Sequence, residues 1–517
     1  MAKLNFIQKP STNHVTYNKL PEEARGRIPD KKTLDLMPWD LVSELKAFVF
    51  GKNSDIVKIA ALNPESPALK HYAQERFGNN NVEWFNATAD DIAFILKNHQ
   101  HDFKSEISNL LASHPDANGN LATLVDRIIK YGILEKASDI HIEPLRNEVL
   151  VRFRIDGILY NMLAVPKSYH QAMTARFKIL ANMKIDEYRR PQDGRIEPEE
   201  FTNTSLRVST VPTLYGEKIA MRVMDESNKT LSAQDLGFSD EQIRILARNV
   251  EKPFGMVVTS GPTGSGKTTT LYALVQMLKK DGINISTLED PIEFSLAGVN
   301  QIQINTRMDL TFASGLRALL RQDPDIIMVG EIRDSETAVM AANAALTGHL
   351  VFTTMHTNDA ASAFTRFLEM KVEDFVVSTI VNLVIAQRLV RKICAKCAHT
   401  EKLGPMIISK ILERKDIVAA LERREKGLSK KLASLGFVRG AGCDVCSQTG
   451  YSGRIGIFEM VELDREIHDL VLGHATAETI KSKLSERGFE DMISDGVAKV
   501  LAGLTTFDEI LRTTRNV

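Results

Sequence analysis

A lysine and a threonine placed directly after a glycine-rich turn can hold phosphate, and residues 261–268 supply that arrangement. Gly261, Pro262, Thr263, Gly264, Ser265, Gly266, Lys267 and Thr268 fit Gly-x-x-x-x-Gly-Lys-Ser/Thr without a mismatch. Glycines let consecutive backbone N–H groups converge on phosphate oxygens, and a helix N-terminus adds partial positive charge. In this pattern Lys267 reaches the β- and γ-phosphates and the Thr268 hydroxyl sits on Mg2+. Thr269 completes the nucleotide-binding stretch. The flanks agree: the apolar run Met256–Thr259 precedes the turn, and Leu271, Leu274, Val275 and Leu278 follow at helical spacing. The implied ligand is a nucleoside triphosphate.

Three acidic or basic groups fall where apolar runs end. The run 325–329 stops at Gly330 and leaves Glu331 at its tip, placed to polarise or orient an attacking water. Glu289 and Glu293 flank Asp290, Pro291 and Ile292 after another such run, and His356 closes the run 350–355. In an open parallel sheet the ligand crevice lies at the carboxyl ends of the strands, so all of these are expected beside the triphosphate. His356 then reads as a sensor of the γ-phosphate. Gln387 and Arg388 end a long apolar stretch beginning at Phe375, which is expected to be a buried helix and to touch the nucleotide or a neighbouring subunit. Arg317 and Arg321 share one face if both stand on the helix before Asp323.

Arg207 and Arg222 lie outside that region. In strand candidates 206–210 and 218–223, Leu206 and Val208, then Ile219, Met221 and Val223, point one way and the arginines the other. If the strands pair, both guanidiniums share a polar face and could act as arginine fingers on a transferring phosphoryl group.

All four cysteines fall into Cys394-x-x-Cys397 and Cys443-x-x-Cys446, about 45 residues apart, a tetrahedral Zn2+ pattern with no ligand position left open. Such a metal is structural.

The elements that must position these groups divide the chain as follows. Residues 1–100 carry amphipathic stretches without a chemical motif and are expected to bind a partner; 101–120, with the turn-rich run Ser113–Asn120, reads as a linker. A helix from Leu121 to about Lys136, a hairpin turning at Asp156-Gly157 and the two arginine strands make 121–232 an α+β domain. Residues 236–390 alternate strands and helices, one helix starting at Asp334/Ser335 and stopping before Gly348. The cysteines occupy 391–460, and 461–517 reads as helical. At 517 residues, 43% hydrophobic and 25% charged with a net charge of −1, composition is that of a globular protein with no global field toward nucleic acid. No secretory signal and no membrane span is expected, which places the chain in the cytoplasm.

In order, the motifs resemble the secretion ATPase superfamily, specifically type II secretion and type IV pilus assembly ATPases. The resemblance rests on Gly261–Thr268, Thr287–Glu293, Arg321–Asp334, Thr347–Asp359, Gln387–Leu389, Ala137–Glu143, Arg190–Arg195, Arg207–Thr213 and the second cysteine pair running on to Gly456. It implies a RecA-like ATPase domain preceded by a PAS-like N2 domain, with a zinc-binding insertion and a helical C-terminal tail. It further implies a homo-hexamer that uses ATP and Mg2+, with Arg207 and Arg222 as fingers. The partners implied are an inner-membrane platform protein and a membrane-anchored adaptor for the N-terminal domain, so that a cytoplasmic chain associates peripherally with the inner membrane. Retraction ATPases of the superfamily usually lack both the cysteine pairs and a large N-terminal extension, which favours assembly. Two other classes compete: a nucleic-acid motor, disfavoured by 6% aromatic content and no basic aromatic-interleaved run, and a nucleotide-dependent scaffold without turnover.

Overall fold

The computed structural model describes most of residues 17–98, and residues 121–515 apart from 202 and 226–231. The expected linker 101–120 lies outside the described residues, Ile107 apart. The chain forms two compact units, 1–134 and 135–517. In the first, a four-stranded sheet runs in the order Asn18–Lys19, Val82–Asn86, Ile56–Ala61, Ala47–Asn53. Strands Ile56–Ala61 and Val82–Asn86 pair in parallel, and helix Pro67–Phe77 connects them in sequence, the crossover that parallel pairing requires. Helix Leu121–Leu134 buries Leu124, Val125, Ile128 and Ile129 and falls within this first unit.

The two larger sheets of the second unit differ in character. Strands Asp139–Pro144, Glu148–Ile155, Ile158–Pro166, Gln192–Ile196, Thr204–Thr213 and Gly216–Asp225 form an all-antiparallel sheet, with the expected turn at Asp156-Gly157. One face is core: Ile140, Ile142, Val149, Val151, Phe153, Leu206, Val208, Ile219 and Met221 are all buried. Period-two alternation therefore leaves the polar residues of the same strands on the other face.

The other sheet is seven-stranded, in the order Asn300–Gln303, Ile285–Glu289, Ile326–Val329, Leu350–Met355, Gly255–Ser260, Val381–Ile393, Tyr451–Glu462. All pairings are parallel except the last. Successive residues feed two cores: Met256, Val258, Ile327, Val329 and Val351 join one, while Val257, Ile326, Met328, Leu350 and Phe352 join the other. Helices cover both faces, as a buried parallel sheet demands.

The apolar stretch from Phe375 corrects the sequence reading. Only Asp374–Ile380 is helical; Val381–Ile393 is a strand beside the phosphate-loop strand, so Gln387 and Arg388 are strand residues. A strand buried on both faces reads as a continuous apolar run, which periodicity cannot separate from a buried helix. The segment between the cysteine pairs leaves the sheet, forms helices Pro405–Glu413, Lys415–Arg424 and Leu428–Lys431 and the pair Ala398–Lys402/Gly436–Gly440, then returns as Tyr451–Glu462. The positions 390/391 and 460/461 thus fall inside strands. Helices Arg465–Leu472, Ala477–Glu486, Met492–Leu501 and Phe507–Thr513 follow. No helix among the described residues is long and apolar enough to cross a membrane.

Candidate active site

Parallel pairing brings Ser260, Glu289, Val329 and Met355, the last residues of four interior strands, to the same end of the large sheet. From Ser260 the chain enters the glycine turn. Gly261, Gly264 and Gly266 have φ of 146°, 79° and 88°, a region that L side chains rarely enter. Gly266 caps helix Lys267–Leu278. A Cβ on Gly261 would lie 2.5 Å from the Gln387 carbonyl oxygen, whereas one on Gly264 would meet nothing within 4 Å, leaving an open mouth. Buried Ser265 Oγ has no partner, and Lys267 Nζ donates to the carbonyls of Gly261 at 2.8 Å and Pro262 at 3.2 Å. Burial pushes the Lys267 ammonium down to about 8, against the field of Glu331. An orphaned hydroxyl, an open glycine mouth and a buried ammonium held only by carbonyls fit a triphosphate, and the Thr268 hydroxyl would hold Mg2+.

Glu331 sits two residues beyond the end of its strand, after Gly330, with 13% of its side chain exposed, paired to Arg333 at 2.6 Å and to His356 Nε2 at 3.5 Å. The structure thus brings Lys267, Glu331 and His356 together. Glu289 is placed differently. It is 2% exposed and accepts from Tyr272, from Thr287 Oγ1 at 2.5 Å and from Gln301 Nε2 at 3.1 Å. Three protein donors hold its carboxylate, and burial with the nearby Glu289 charge raises the Tyr272 hydroxyl. Glu293 stands at the rim: desolvation raises its carboxyl, Glu289 adds to this, and Arg222 and Arg207 oppose it. Both arginines therefore act on the acidic segment of the large sheet.

The expected pairing of the arginine strands holds residue for residue. Arg195, Arg207, Arg222, Asp139 and Arg154 are consecutive cross-strand partners on one rung. Asp139 lies between Arg222 at 3.3 Å and Arg154 at 3.4 Å. Arg317 and Arg321 do not share a helix face. Helix Phe312–Leu319 ends before Arg321, which donates to the Arg317 carbonyl at 2.8 Å, while Arg317 itself pairs with Glu336 at 3.0 Å.

The cysteines converge: every ligand sulfur lies within 4.8 Å of the others. Sγ–Sγ separations are 3.8 Å for Cys394–Cys443, 3.8 Å for Cys397–Cys446 and 3.7 Å for Cys443–Cys446. Four arms of ~2.3 Å around Zn2+ give tetrahedral edges of ~3.8 Å. Burial pushes the Cys397 thiol up to about 12; at Cys446 the amides of Cys443 and Gly450 overcome burial and bring it down to about 7.

The sequence predicts that Gln387 touches the nucleotide or a neighbouring subunit. Instead its side chain locks the phosphate loop: Nε2 donates to the Ser265 carbonyl at 2.7 Å and Oε1 accepts from Thr270 Oγ1 at 2.8 Å. Only the strand assignment of 381–393, paired with 255–260, could have shown this.

A parallel sheet carrying this phosphate loop, with Glu331 and His356 beyond neighbouring strand ends, defines a RecA-like P-loop ATPase. A family described as type II/IV secretion system protein matches residues 115–512, and the chain belongs to it. It is 38% identical over 477 residues to the type IV pilus assembly ATPase PilB of Myxococcus xanthus, covering 92% of this chain and 80% of that protein. The type II secretion system protein HxcR of Pseudomonas aeruginosa is 42% identical, with 80% of each chain covered. The type IV pilus assembly ATPase TfpB of Acinetobacter baylyi is 42% identical across 77% of this chain and 66% of its own length. Among solved structures, the ATPase DotB of Legionella pneumophila shares the fold, with TM-score 0.54, 20% identity, 75% of this chain and 95% of that chain covered.

Proposed function

We propose that this chain works as a ring of six copies that hydrolyses ATP to assemble a type IV pilus or a type II secretion pseudopilus through an inner-membrane platform protein. The observation that carries this is the arginine rung whose Arg207 and Arg222 act on Glu293, beside a complete phosphate loop. Relatives named for pilus assembly and for type II secretion both support it. In the reaction, water attacks the γ-phosphorus, the bond to the β–γ bridging oxygen breaks, and the water proton passes to Glu331. His356 orients Glu331, and Lys267 with Arg207 and Arg222 balances the charge that develops on the phosphoryl oxygens. Mg2+ on Thr268 would neutralise the β- and γ-oxygens. Cys394, Cys397, Cys443 and Cys446 would hold zinc as a structural cross-link, tying the returning strand to the leaving one. Residues 1–100 take the membrane-anchored adaptor, and the chain works at the cytoplasmic side of the inner membrane.

Glu331→Gln tests the chemistry. It retains ATP binding and lowers kcat about 10³-fold; hydrolysis at the native rate would remove Glu331 from the mechanism. Turnover measured with and without single-stranded DNA separates the nucleic-acid motor, which DNA would stimulate strongly.

A further inference from the structure

Three separate elements hold the loop that follows His356. Asp359 is 5% exposed; its Oδ1 accepts the Ser362 amide at 2.8 Å and its Oδ2 pairs with Lys481 Nζ at 2.8 Å. Lys481 stands on helix Ala477–Glu486, anchored by buried Ile480 and Leu484. The next loop residue, Ala360, donates its amide to Glu459 Oε1 at 3.0 Å. Glu459 belongs to the edge strand and pairs across from Ala386, next to Gln387. From the other side, Ser260 Oγ, at the entrance to the phosphate loop, donates to the Thr357 carbonyl at 3.0 Å. The loop is therefore clamped between the phosphate-loop strand and a C-terminal helix.

The clamp has an electrostatic requirement. Two buried carboxyls meet the start of helix Ala361–Glu369, and like charges there repel unless a cation balances them. Burial, then Asp359 and Asp491, push Glu459 up to about 7, opposed by the Ala360 amide and Lys481. Burial would also raise Asp359, but Lys481 and Ser362 outweigh it and hold it below the usual range.

We infer that Lys481, Asp359 and Glu459 are positioning residues for hydrolysis, through which the C-terminal helices set His356 against Glu331. This rests on the reading of Glu331 and His356 as the water-orienting pair. The consequence is that turnover responds to how the C-terminal helices sit, without any of these three groups touching nucleotide.

Lys481→Met in the full chain keeps the methylene packing and removes the charge. Expected is a melting temperature lowered by a few degrees, because buried Asp359 loses its cation, with KM for ATP unchanged and kcat lowered about tenfold at mildly alkaline pH. The deficit shrinks as pH falls: losing Lys481 removes a charge that lowers Glu459, so the variant's Glu459 takes its proton at or above about pH 7 and one charge fewer then needs balancing. Adding Glu459→Gln to that variant restores most of kcat, because the amide oxygen still accepts from Ala360. A Lys481→Met enzyme with native kcat, KM and pH profile overturns the inference. So does a kcat loss that Glu459→Gln does not rescue. If Glu331→Gln is inactive while Lys481→Met is native, only the clamp fails; if Glu331→Gln is active, the site reading itself fails.

Discussion

Lys267 shows how one buried ammonium ties nucleotide affinity to pH. With only carbonyl oxygens for partners, its pKa lies near 8, far below the usual value for lysine. Phosphate oxygens beside it favour the charged form, so the bound state holds its proton to higher pH than the free state. Binding then takes up a proton above about pH 8, and affinity is fully present below that value and lost as pH rises through it. The ATP dissociation constant is expected to be flat to about pH 7.5 and to weaken roughly tenfold by about pH 9. Isothermal titration in buffers of different ionisation enthalpy measures both quantities, and a constant Kd without proton uptake would exclude it. Glu289 illustrates the opposite case: a buried carboxylate held by Tyr272, Thr287 and Gln301 is fixed within the acidic segment by protein donors.

At the scale of elements, strand Val381–Ile393 supports both the phosphate loop and the four-cysteine cluster. Gln387 braces Ser265 and Thr270, and Cys394 follows the strand's last residue. Gln387→Ala leaves the Ser265 carbonyl and the Thr270 hydroxyl without their partner, a cost of about 1–3 kcal/mol. ATP affinity measured by fluorescence should weaken about ten- to a hundredfold, and unaltered affinity would show that the loop holds its shape unaided. At the other end of the segment, Cys394→Ser or chelation removes the cross-link between the leaving and returning strands. Loss of a structural metal is expected to destabilise the 391–460 region by about 4 kcal/mol or more while nucleotide binding persists. Metal analysis and thermal melting of the same sample check this; a fully folded, metal-free protein would contradict it.

For the whole molecule, the decisive relation is between the antiparallel sheet and the parallel one. The hairpin turn of the first meets the returning strand of the second, where the Gly453 amide donates to Asp156 Oδ2 at 2.9 Å. Beside it, Arg391, stacked 4.0 Å over Tyr451 and paired with Glu509 at 2.8 Å, reaches Tyr160 at 3.4 Å. These contacts and the arginine rung lie on the same sheet, so a movement of that sheet carries Arg207 and Arg222 with it. Arg222→Ala, and separately Arg207→Ala, should lower kcat about 10³-fold with ATP affinity little changed. Light scattering on the same samples follows assembly, and native turnover in both variants would dismiss the fingers.

By itself the sequence determined the phosphate loop, the antiparallel arginine strands and the cysteine pairs. Each of those signals is local: fixed spacing in Gly261–Thr268 and in Cys-x-x-Cys, and strict alternation around Arg207 and Arg222. The tertiary structure alone decided that Phe375–Ile393 breaks into helix and strand, that Gln387 braces the phosphate loop, that Glu289 is held by three protein donors and that Lys481 closes on Asp359. Those outcomes depend on which strand lies beside which, and on partners between two and over a hundred residues away. An apolar run buried on both faces carries no period that could have announced them.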